Sequence, residues 1–411
     1  MQVAATLFGS AHAVSRLSLG FCCLASTALL LYPLPITPLH LLDLAAQHYP
    51  LQADLDAAAQ RVLRAGAFIQ GPDVASFAQE LGAYLGGAHV VPCANGTDAL
   101  QLALMSLNLA PGAEVIVPAF TYVATVEAAA VLGLTPVLVD ACPGTFNLNP
   151  AAVEAALTPR TGAIVAVHLF GQCAELEALQ ALAQRHGVAL IEDNAQALGA
   201  AYTMHTGETR LAGTVGDVGT TSFFPSKNLG GFGDGGALMT REVARATYLY
   251  QLANHGQSHK YHHQHVGINS RLDTLQAALL RVKLPYLNQW NAARQQLAAQ
   301  YDALLAQVPG LLPPARDPRS THVFNQYTIT LATETQRDGL QQHLQRWGVP
   351  TIIYYPQPVH LQPAYAYLGY RRGQFPVAEE LCRTVLALPM QPMLTAEQVA
   401  YVAEAISAFA G

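Results

Sequence analysis

Short apolar runs rich in β-branched residues alternate with longer stretches of helical apolar spacing from Val90 onward. This alternation indicates strand–helix–strand crossover units, which build a mostly parallel sheet with helices on both faces. In sheets of this α/β class, ligands bind beyond the carboxyl ends of the strands. The predicted strands are residues 115–118, 136–140, 163–168, 189–193, 220–224 and 236–240.

The pattern of predicted strands and helices divides the whole chain into three predicted parts. Residues 1–38 form an extension, residues 39–280 a large domain and residues 281–411 a smaller C-terminal α+β domain. A long helical stretch over 272–308, interrupted by Pro285, leaves the large domain. In the small domain, candidate strands at 326–331 and 350–355 flank a helix. The other predicted helices are residues 51–67, 74–85, 97–109, 125–132, 150–157, 174–186, 335–347 and 395–409.

Composition argues against nucleic acid as a partner and indicates an oligomer. The formal net charge of -6 provides no basic surface for nucleic acid. Only 12% of the residues are charged, which is typical of a chain that covers part of its surface in an oligomer. The six cysteines form no CxxC pair, as expected for reduced thiols in a cytoplasmic enzyme.

The N-terminus carries an uncharged apolar stretch from Leu17 to Ile36, with Arg16 just before it. This pattern resembles a signal-peptide core or a marginal membrane anchor. A mistaken start codon or a disordered extension is the explanation we prefer, and no second apolar span of membrane length follows. We therefore do not expect contact with a membrane.

A lysine follows an apolar strand inside a glycine-rich loop, in the run from Ser222 through Lys227 to Gly236. Burial lowers the pKa of a lysine and makes it a nucleophilic amine, as Schiff-base chemistry requires. A lysine at a strand end that simply reaches water is the alternative, and this segment alone does not decide between them.

An acidic residue closes another apolar strand at Asp193, and Gln196 follows three residues later. A pyridine cofactor needs a carboxylate against its ring nitrogen, and Gln196 is able to donate a hydrogen bond to a ring oxygen. The alternative is an acidic N-cap for the next segment. The cofactor site also explains Gln196, and we prefer it.

Two further segments suit the same cofactor. A Gly96-Thr97 turn opens a helix whose free N–H groups suit a phosphate, although most such turns are ordinary caps. Ser222 is a second phosphate donor. Tyr122 lies just past a strand end, where its ring can stack on a planar cofactor, although aromatic rings more often pack in cores.

Histidines invite two further interpretations. Five of them lie close together in the sequence: His255, His259, His262, His263 and His265. No carboxylate or cysteine is interleaved and the spacing fits no helix face, so we predict a loop near the site and no metal. His168 ends a predicted strand, where a hydrogen-bonded structural histidine and a base are equally reasonable.

Taken together, these segments resemble the DegT/DnrJ/EryC1/StrS family of sugar aminotransferases over about nine-tenths of the chain. The resemblance rests on nine pieces in order. They are Phe68-Ile-Gln-Gly-Pro72, Asn95-Gly-Thr-Asp98, Pro118-Ala-Phe-Thr-Tyr122, His168-Leu-Phe-Gly-Gln172, Glu192-Asp-Asn-Ala-Gln196, Ser222 to Lys227, Gly267-Ile-Asn-Ser-Arg-Leu-Asp273, Tyr355-Pro-Gln-Pro-Val-His360 and Gly373-Gln-Phe-Pro-Val-Ala-Glu379.

The resemblance implies a fold-type I enzyme that depends on pyridoxal 5'-phosphate (PLP) and works as a homodimer with shared active sites. Lys227 would carry PLP as a Schiff base and move the proton in transamination. The other implied cofactor contacts are Asp193 at the pyridine nitrogen, Gln196 at the ring hydroxyl, Tyr122 on the ring, Gly96, Thr97 and Ser222 at the phosphate, and Asn269 at the phosphate of the neighbouring subunit's cofactor.

The implied reaction is transfer of an amino group from glutamate to a nucleotide-linked ketosugar, UDP- or dTDP-linked, at C3 or C4. Such reactions serve the biosynthesis of cell-surface polysaccharide or antibiotic sugars. Candidate substrate contacts are Phe68, His168, Arg271, Tyr354 and His360. Tyr354 stands where histidine is common in the family, which leaves the contacts to the sugar open.

Two other functions are compatible with the same scaffold. Sugar dehydratases replace the lysine with histidine, so Lys227 argues against that chemistry. A regulatory protein that keeps PLP without turnover is the other alternative. The presence of Lys227, Asp193 and Gln196 together favours the aminotransferase.

Overall fold

A computed structural model describes residues 38–410 of the chain. The apolar stretch over 17–36 lies outside the described residues. Within the described part, no helix has the length and apolar character needed to cross a membrane.

The central element is a mixed sheet of seven strands, counted over residues 38–410, in the order β1-β9-β8-β5-β4-β2-β3. β9 runs antiparallel to both of its neighbours, and all the other neighbouring pairs are parallel. The described strands are β1 His89–Cys93, β2 Glu114–Pro118, β3 Thr135–Val139, β4 Thr161–Val167, β5 Ala189–Asp193, β6 Ala201–Thr203, β7 Thr209–Leu211, β8 Val218–Ser222, β9 Gly236–Thr240, β10 Gln257–His259, β11 His262–His263, β12 Leu311–Leu312, β13 Tyr327–Leu331 and β14 Val385–Leu388.

Helices pack on both faces of this sheet, as the alternation predicts. Strand β2 is buried along its whole length, because helices cover a parallel sheet on both sides. The described helices are α1 Leu44–His48, α2 Gln52–Ala65, α3 Pro72–Tyr84, α4 Gly96–Met105, α5 Ala124–Val131, α6 Pro150–Ala156, α7 Leu176–His186, α8 Val243–Ala253, α9 Thr274–Lys283, α10 Leu287–Leu305, α11 Glu334–Arg346, α12 Pro376–Thr384 and α13 Ala396–Ala410.

The predicted break at Pro285 is confirmed. A single 3-10 turn, Leu284–Tyr286, separates α9 from α10, because proline removes a backbone donor and clashes with the preceding turn. α10 then leads to an antiparallel sheet in the order β12-β13-β14, with α11 and α12 as the neighbouring helices. The predicted domain boundary between residues 280 and 281 stays a prediction.

One predicted strand is wrong, and one strand of the central sheet was missed. Residues 350–355 make only an isolated bridge between Ile352 and Ala387. The segment starts at Pro350 and is followed by Pro356, and proline cannot donate to a strand ladder. Strand β1 was missed because it is a short edge strand that contains Pro92 and is exposed at His89.

The core on one face of the sheet places Phe77 of α3 against Phe223, which directly follows β8. Their ring centroids lie 5.3 Å apart in an edge-to-face arrangement, and both side chains are fully buried. This contact ties α3 to the start of the loop that carries Lys227.

Replacement of Phe77 tests this part of the core. We expect Phe77→Ala to lower the free energy of unfolding by about 3–5 kcal/mol, because a large buried ring leaves a cavity. Chemical denaturation followed by circular dichroism measures the change. Tyr49→Ala, at a position 81% exposed, is the control and should change stability little. An equal effect of the two substitutions would contradict the packing described.

Candidate active site

The candidate residues lie at one edge of the central sheet. The parallel strands β2, β4, β5 and β8 all end there, and β1 ends there too because it is parallel to β8. Tyr122, Asp193, Gln196, Ser222 and Lys227 stand on, or within five residues of, the ends of these strands. The topology therefore gathers segments that are more than 100 residues apart in the sequence.

Asp193 is the last residue of β5 and is buried. Its Oδ2 accepts a hydrogen bond of 2.9 Å from the Thr125 hydroxyl, and its Oδ1 accepts one of 3.2 Å from the Ala195 N–H. A buried carboxylate requires such donors. Each oxygen keeps a lone pair, so the carboxylate can accept a further donor on a bound molecule.

Lys227 lies in a compact loop after β8. Its N–H donates to the Phe224 carbonyl at 2.8 Å, and the Gly231 N–H donates to the Phe223 carbonyl at 2.7 Å. The loop doubles back so tightly that a Cβ on Gly230 would lie 2.2 Å from the Pro225 carbonyl oxygen. Only glycine fits there.

The amine of Lys227 has no hydrogen-bond or ion-pair partner among the side chains that the structure describes. Burial lowers the pKa of Lys227, and the negative charge of Asp193 opposes this shift. A lowered pKa increases the fraction of neutral, nucleophilic amine near pH 7.

A helix N-terminus lies next to this loop. Helix α4 begins at Gly96 because the Asn95 side chain caps it, accepting a hydrogen bond of 2.8 Å from the Asp98 N–H. The N–H groups of Gly96 and Thr97, in the first turn, have no intrahelical acceptor. A Cβ on Gly96 would lie 2.7 Å from the Cβ of Ser222, so only glycine lets the start of α4 approach Ser222 this closely. The free N–H groups beside the Ser222 hydroxyl suit a phosphate.

Gln196 and two tyrosines line the same region. The Gln196 side-chain oxygen accepts from the Phe170 N–H at 2.7 Å, and its amide nitrogen donates to the Tyr355 hydroxyl at 3.1 Å. These bonds fix the orientation of the amide. The Tyr122 ring is 57% exposed, and its centroid lies 6.2 Å from that of Tyr355. Its exposed ring is therefore free to stack on a bound planar group.

His168 has a different environment. It is fully buried, and its Nδ1 accepts a hydrogen bond of 3.1 Å from the Ala174 N–H. Its Nε2 therefore carries the proton, which it donates to Glu192 at 2.9 Å. Both ring nitrogens are used, so His168 has no free atom for a substrate. The geometry favours the structural histidine over the predicted substrate contact.

Glu192, the residue before Asp193, completes this buried structure. Its carboxylate also accepts from the N–H groups of Gly213, Val215 and Gly216 at 2.6–2.8 Å. Burial raises the pKa of the Glu192 carboxyl, but the bonds from His168 and the backbone outweigh burial and hold that pKa below its ordinary value. Because successive strand residues face opposite sides, Glu192 braces the fold and Asp193 faces the site.

The other predicted contacts are placed as follows. Asn269 is exposed, and its neighbour Ser270 accepts a hydrogen bond of 3.1 Å from the Ala94 N–H, beside the turn that opens α4. Phe68 is half exposed, and Arg271 is partly buried. Arg271 forms no ion pair with a carboxylate of residues 38–410, so its guanidinium is available to an anion.

His360 and Tyr354 belong to the C-terminal part of the chain. His360 is buried, with Nε2 3.0 Å from Glu379 Oε1, and its Nδ1 has no partner among the described atoms. The Val359 N–H donates to the Ala119 carbonyl at 3.0 Å, which holds this segment against the end of β2. Tyr354 directly precedes Tyr355, whose hydroxyl bonds Gln196.

The clustered histidines lie on and around the exposed β10–β11 hairpin, where the rings of His259 and His262 stack with centroids 4.5 Å apart. In the part of the chain that the structure describes, no three histidine, cysteine or acidic side chains converge as a metal site would require.

The sequence pattern of the DegT/DnrJ/EryC1/StrS aminotransferase family matches residues 51–407, and the chain belongs to this family. Members of this family are aminotransferases that use PLP, and both properties hold for this chain.

Two curated relatives are 44% identical to the chain. One is the pleiotropic regulatory protein of Geobacillus stearothermophilus, aligned over 90% of this chain and 98% of the relative. The other is the UDP-2-acetamido-2-deoxy-3-oxo-D-glucuronate aminotransferase of Pseudomonas aeruginosa, aligned over 89% and 99%. A solved structure of S. venezuelae DesV in complex with a ketimine intermediate superposes with a TM-score of 0.87 at 44% identity, covering 91% of this chain and 98% of that chain.

The residues at the sheet edge fit PLP. Asp193 offers a buried carboxylate with free lone pairs, and Lys227 offers an amine without a partner in the described chain. The free N–H groups at the start of α4, packed against Ser222, suit a phosphate. Sequence reasoning missed Thr125 and Tyr355, which orient Asp193 and Gln196. The signal for Thr125 was a hydroxyl residue in the first turn of a helix whose only other polar residue is Glu127.

Removal of the Thr125 hydroxyl tests its contact with Asp193. We expect Thr125→Val to lower the free energy of unfolding of the cofactor-free protein by about 1–3 kcal/mol, because a buried charged acceptor loses a donor. It should also weaken PLP binding, measured by absorbance titration. Thr121→Val is the matched control, since the Thr121 hydroxyl contacts Thr125 and not Asp193. Equal effects of both changes would argue against the role of Thr125.

The lowered pKa of Lys227 predicts a specific pH dependence. Capture of added PLP by the cofactor-free protein requires the neutral amine of Lys227. The capture rate should therefore rise with pH and level off at a pH below 10.5, the ordinary pKa of lysine. Stopped-flow absorbance measures the rate, with a free lysine derivative as the reference amine. A protein profile that coincides with the reference would contradict a lowered pKa.

Proposed function

We propose that the chain transfers an amino group from glutamate to the ketone of a nucleotide-linked sugar, with Lys227 as the catalytic residue. The observation that carries the proposal is the partly buried Lys227, with a lowered pKa and under the charge of Asp193, in a chain 44% identical to an aminotransferase whose name specifies a UDP-linked 3-oxo sugar.

Each residue at the sheet edge has a role in holding the cofactor. Asp193 would accept a hydrogen bond from the protonated pyridine nitrogen, and Gln196 would donate its remaining amide hydrogen to the ring hydroxyl. Tyr122 would stack on the ring. The phosphate would accept hydrogen bonds from the free N–H groups of Gly96 and Thr97 and from the Ser222 hydroxyl. When bound, PLP supplies the electron sink that stabilises the carbanion formed at the reacting carbon.

Lys227 moves the proton in both halves of the reaction. Its neutral Nζ accepts a proton from the α-carbon of glutamate, and the same atom later delivers a proton to the sugar carbon that receives the amine. The lowered pKa suits this work, because a base with a pKa nearer the working pH both takes and returns a proton. The hydrogen bonds from the Thr125 hydroxyl and the Ala195 N–H keep the Asp193 carboxyl group in place.

The substrate side is assigned to four side chains. Arg271, without a carboxylate partner in residues 38–410, suits an anionic group such as the diphosphate of the nucleotide. Phe68, Tyr354 and His360 are the proposed contacts to the sugar. The Nδ1 of His360 has no partner among the described atoms and is free to bind a polar group of the sugar. His168 is left out, since both its nitrogens are bonded inside the fold. The name of the Pseudomonas relative favours a UDP-linked sugar with the ketone at C3.

The active unit is a homodimer in this proposal. Large apolar side chains are exposed around the candidate active site, and a partner subunit commonly covers such a surface. They include Phe68, Ile69, Tyr122, Phe224 and Phe232. Asn269 is exposed beside the phosphate corner, where it suits a contact with the neighbouring subunit's cofactor. The four described cysteines are free thiols, which supports a cytoplasmic location.

A regulator that binds PLP without turnover is the competing function, and the name of the Geobacillus relative, a pleiotropic regulatory protein, favours it. The two functions differ in one measurable property. An aminotransferase changes its visible absorbance when glutamate is added, whereas a regulator that only holds PLP does not.

A panel of UDP- and dTDP-linked sugars with ketones at C3 or C4 tests the proposal. With glutamate as donor, we expect the purified protein to form 2-oxoglutarate and an amino sugar from at least one UDP-linked 3-keto sugar, detected by mass spectrometry. Lys227→Ala should keep the fold and lose all turnover, whereas Arg64→Ala, on the surface of α2, should keep it. Bound PLP that glutamate does not alter, or a fully active Lys227→Ala protein, would overturn the proposal.

A further inference from the structure

Lys283, the last residue of α9, is a buried lysine that neither the cofactor site nor the substrate contacts use. Its side chain is 1% exposed. Lysine is almost never fully buried unless a charged partner accompanies it. No carboxylate of residues 38–410 forms an ion pair with Lys283, and burial lowers its pKa to about 8. A position this costly indicates a requirement for the amine itself.

The contacts of the amine connect three segments. Nζ donates to the Gly230 carbonyl and, at 2.9 Å, to Nε2 of His48 on α1. It also lies over two rings, 5.3 Å from the centroid of Phe232 and 5.9 Å from that of Trp290. Because an ammonium group only donates, His48 accepts through Nε2 and carries its own proton on Nδ1. Burial and the charge of Lys283 lower the pKa of His48 to about 4, consistent with a neutral ring.

The Gly230 carbonyl belongs to the loop that carries Lys227, three residues earlier. The loop is folded on itself by the bonds of the Lys227 and Gly231 N–H groups, so a displacement of Gly230 reaches Lys227 directly. On its outer side, the His48 ring stacks on Phe232 with centroids 4.5 Å apart. Lys283 supports this loop from α9, and His48 covers it from α1.

We propose that Lys283 is a positioning residue for Lys227: it holds the Gly230 carbonyl and, through His48, the N-terminal helix against the catalytic loop. This inference rests on the proposed function of Lys227. A small displacement of a reacting group can lower a rate by about 100-fold. Loss of the support therefore affects the chemical step more than it affects binding of the sugar nucleotide.

Replacement of the amine by a methyl thioether of similar length tests the proposal. In cofactor-free Lys283→Met, we expect faster hydrogen–deuterium exchange in a peptide covering residues 223–232 and unchanged exchange in β4. In the enzyme loaded with PLP, we expect kcat to fall by about tenfold or more while KM for the sugar nucleotide changes by less than about twofold.

Arg337→Met is the control. Arg337 is also a buried cation that donates to a backbone carbonyl, but it lies on α11 and that carbonyl belongs to Cys382 on α12. The variant should leave exchange in residues 223–232 unchanged. Equal exchange in that peptide for Lys283→Met and the unmodified protein would overturn the proposal. So would an increase spread over the whole chain, or one that Arg337→Met reproduces, because each indicates a general structural role.

A second variant keeps the inference testable if Lys283→Met does not fold. His48→Leu leaves the bond from Lys283 to Gly230 but removes the acceptor and the stacking on Phe232. We expect it to speed exchange in the same peptide to a smaller extent, and no change would overturn the proposal. If the unmodified protein lacks aminotransferase activity, the proposed function fails, whereas the exchange data still decide whether Lys283 holds the loop.

Discussion

The buried carboxylate of Asp193 is the constraint on which the rest of the site depends. An anion at the end of an interior strand is unfavourable unless donors surround it. Thr125 and the Ala195 N–H meet part of that demand and leave lone pairs facing the open edge of the sheet. The same charge also acts on Lys227. Burial lowers the pKa of that lysine, and the charge of Asp193 opposes this shift. The carboxylate therefore shapes both the cofactor end and the amine end of the site.

Two adjacent acids on one strand serve opposite purposes. Glu192 faces the interior, where His168 and three backbone N–H groups bind it fully. Asp193 faces the sheet edge with acceptor capacity to spare. The alternation of side chains along a strand separates them, so a single dipeptide supplies a structural anchor and the carboxylate that we propose contacts the cofactor. Loss of Glu192 would leave a buried histidine and several N–H groups without an acceptor.

The loop that carries Lys227 is held from several directions. Its own turn needs glycine at Gly230, while Phe223 packs against Phe77 of α3. The next residue after Lys227, Asn228, donates to Asn291 of α10 at 2.7 Å. The inference about Lys283 adds a support from α9 and from the N-terminal helix. The proposed role of Lys227 in both half-reactions requires this restriction, because its nitrogen would have to return to the same place each time.

The sequence by itself determined the alternation of strands and helices, the break at Pro285, the family, and the residue types that suit PLP. These are local properties, since periodicity, proline and motif spacing act over a few residues. Only the tertiary structure decided which polar side chains meet. It paired Thr125 with Asp193 across 68 positions and Tyr355 with Gln196 across 159, and it used both nitrogens of His168 inside the fold. It also removed the strand over 350–355 and added the edge strand β1. Hydrogen-bond partners and sheet edges depend on which segments pack together, and that information is spread over the whole chain.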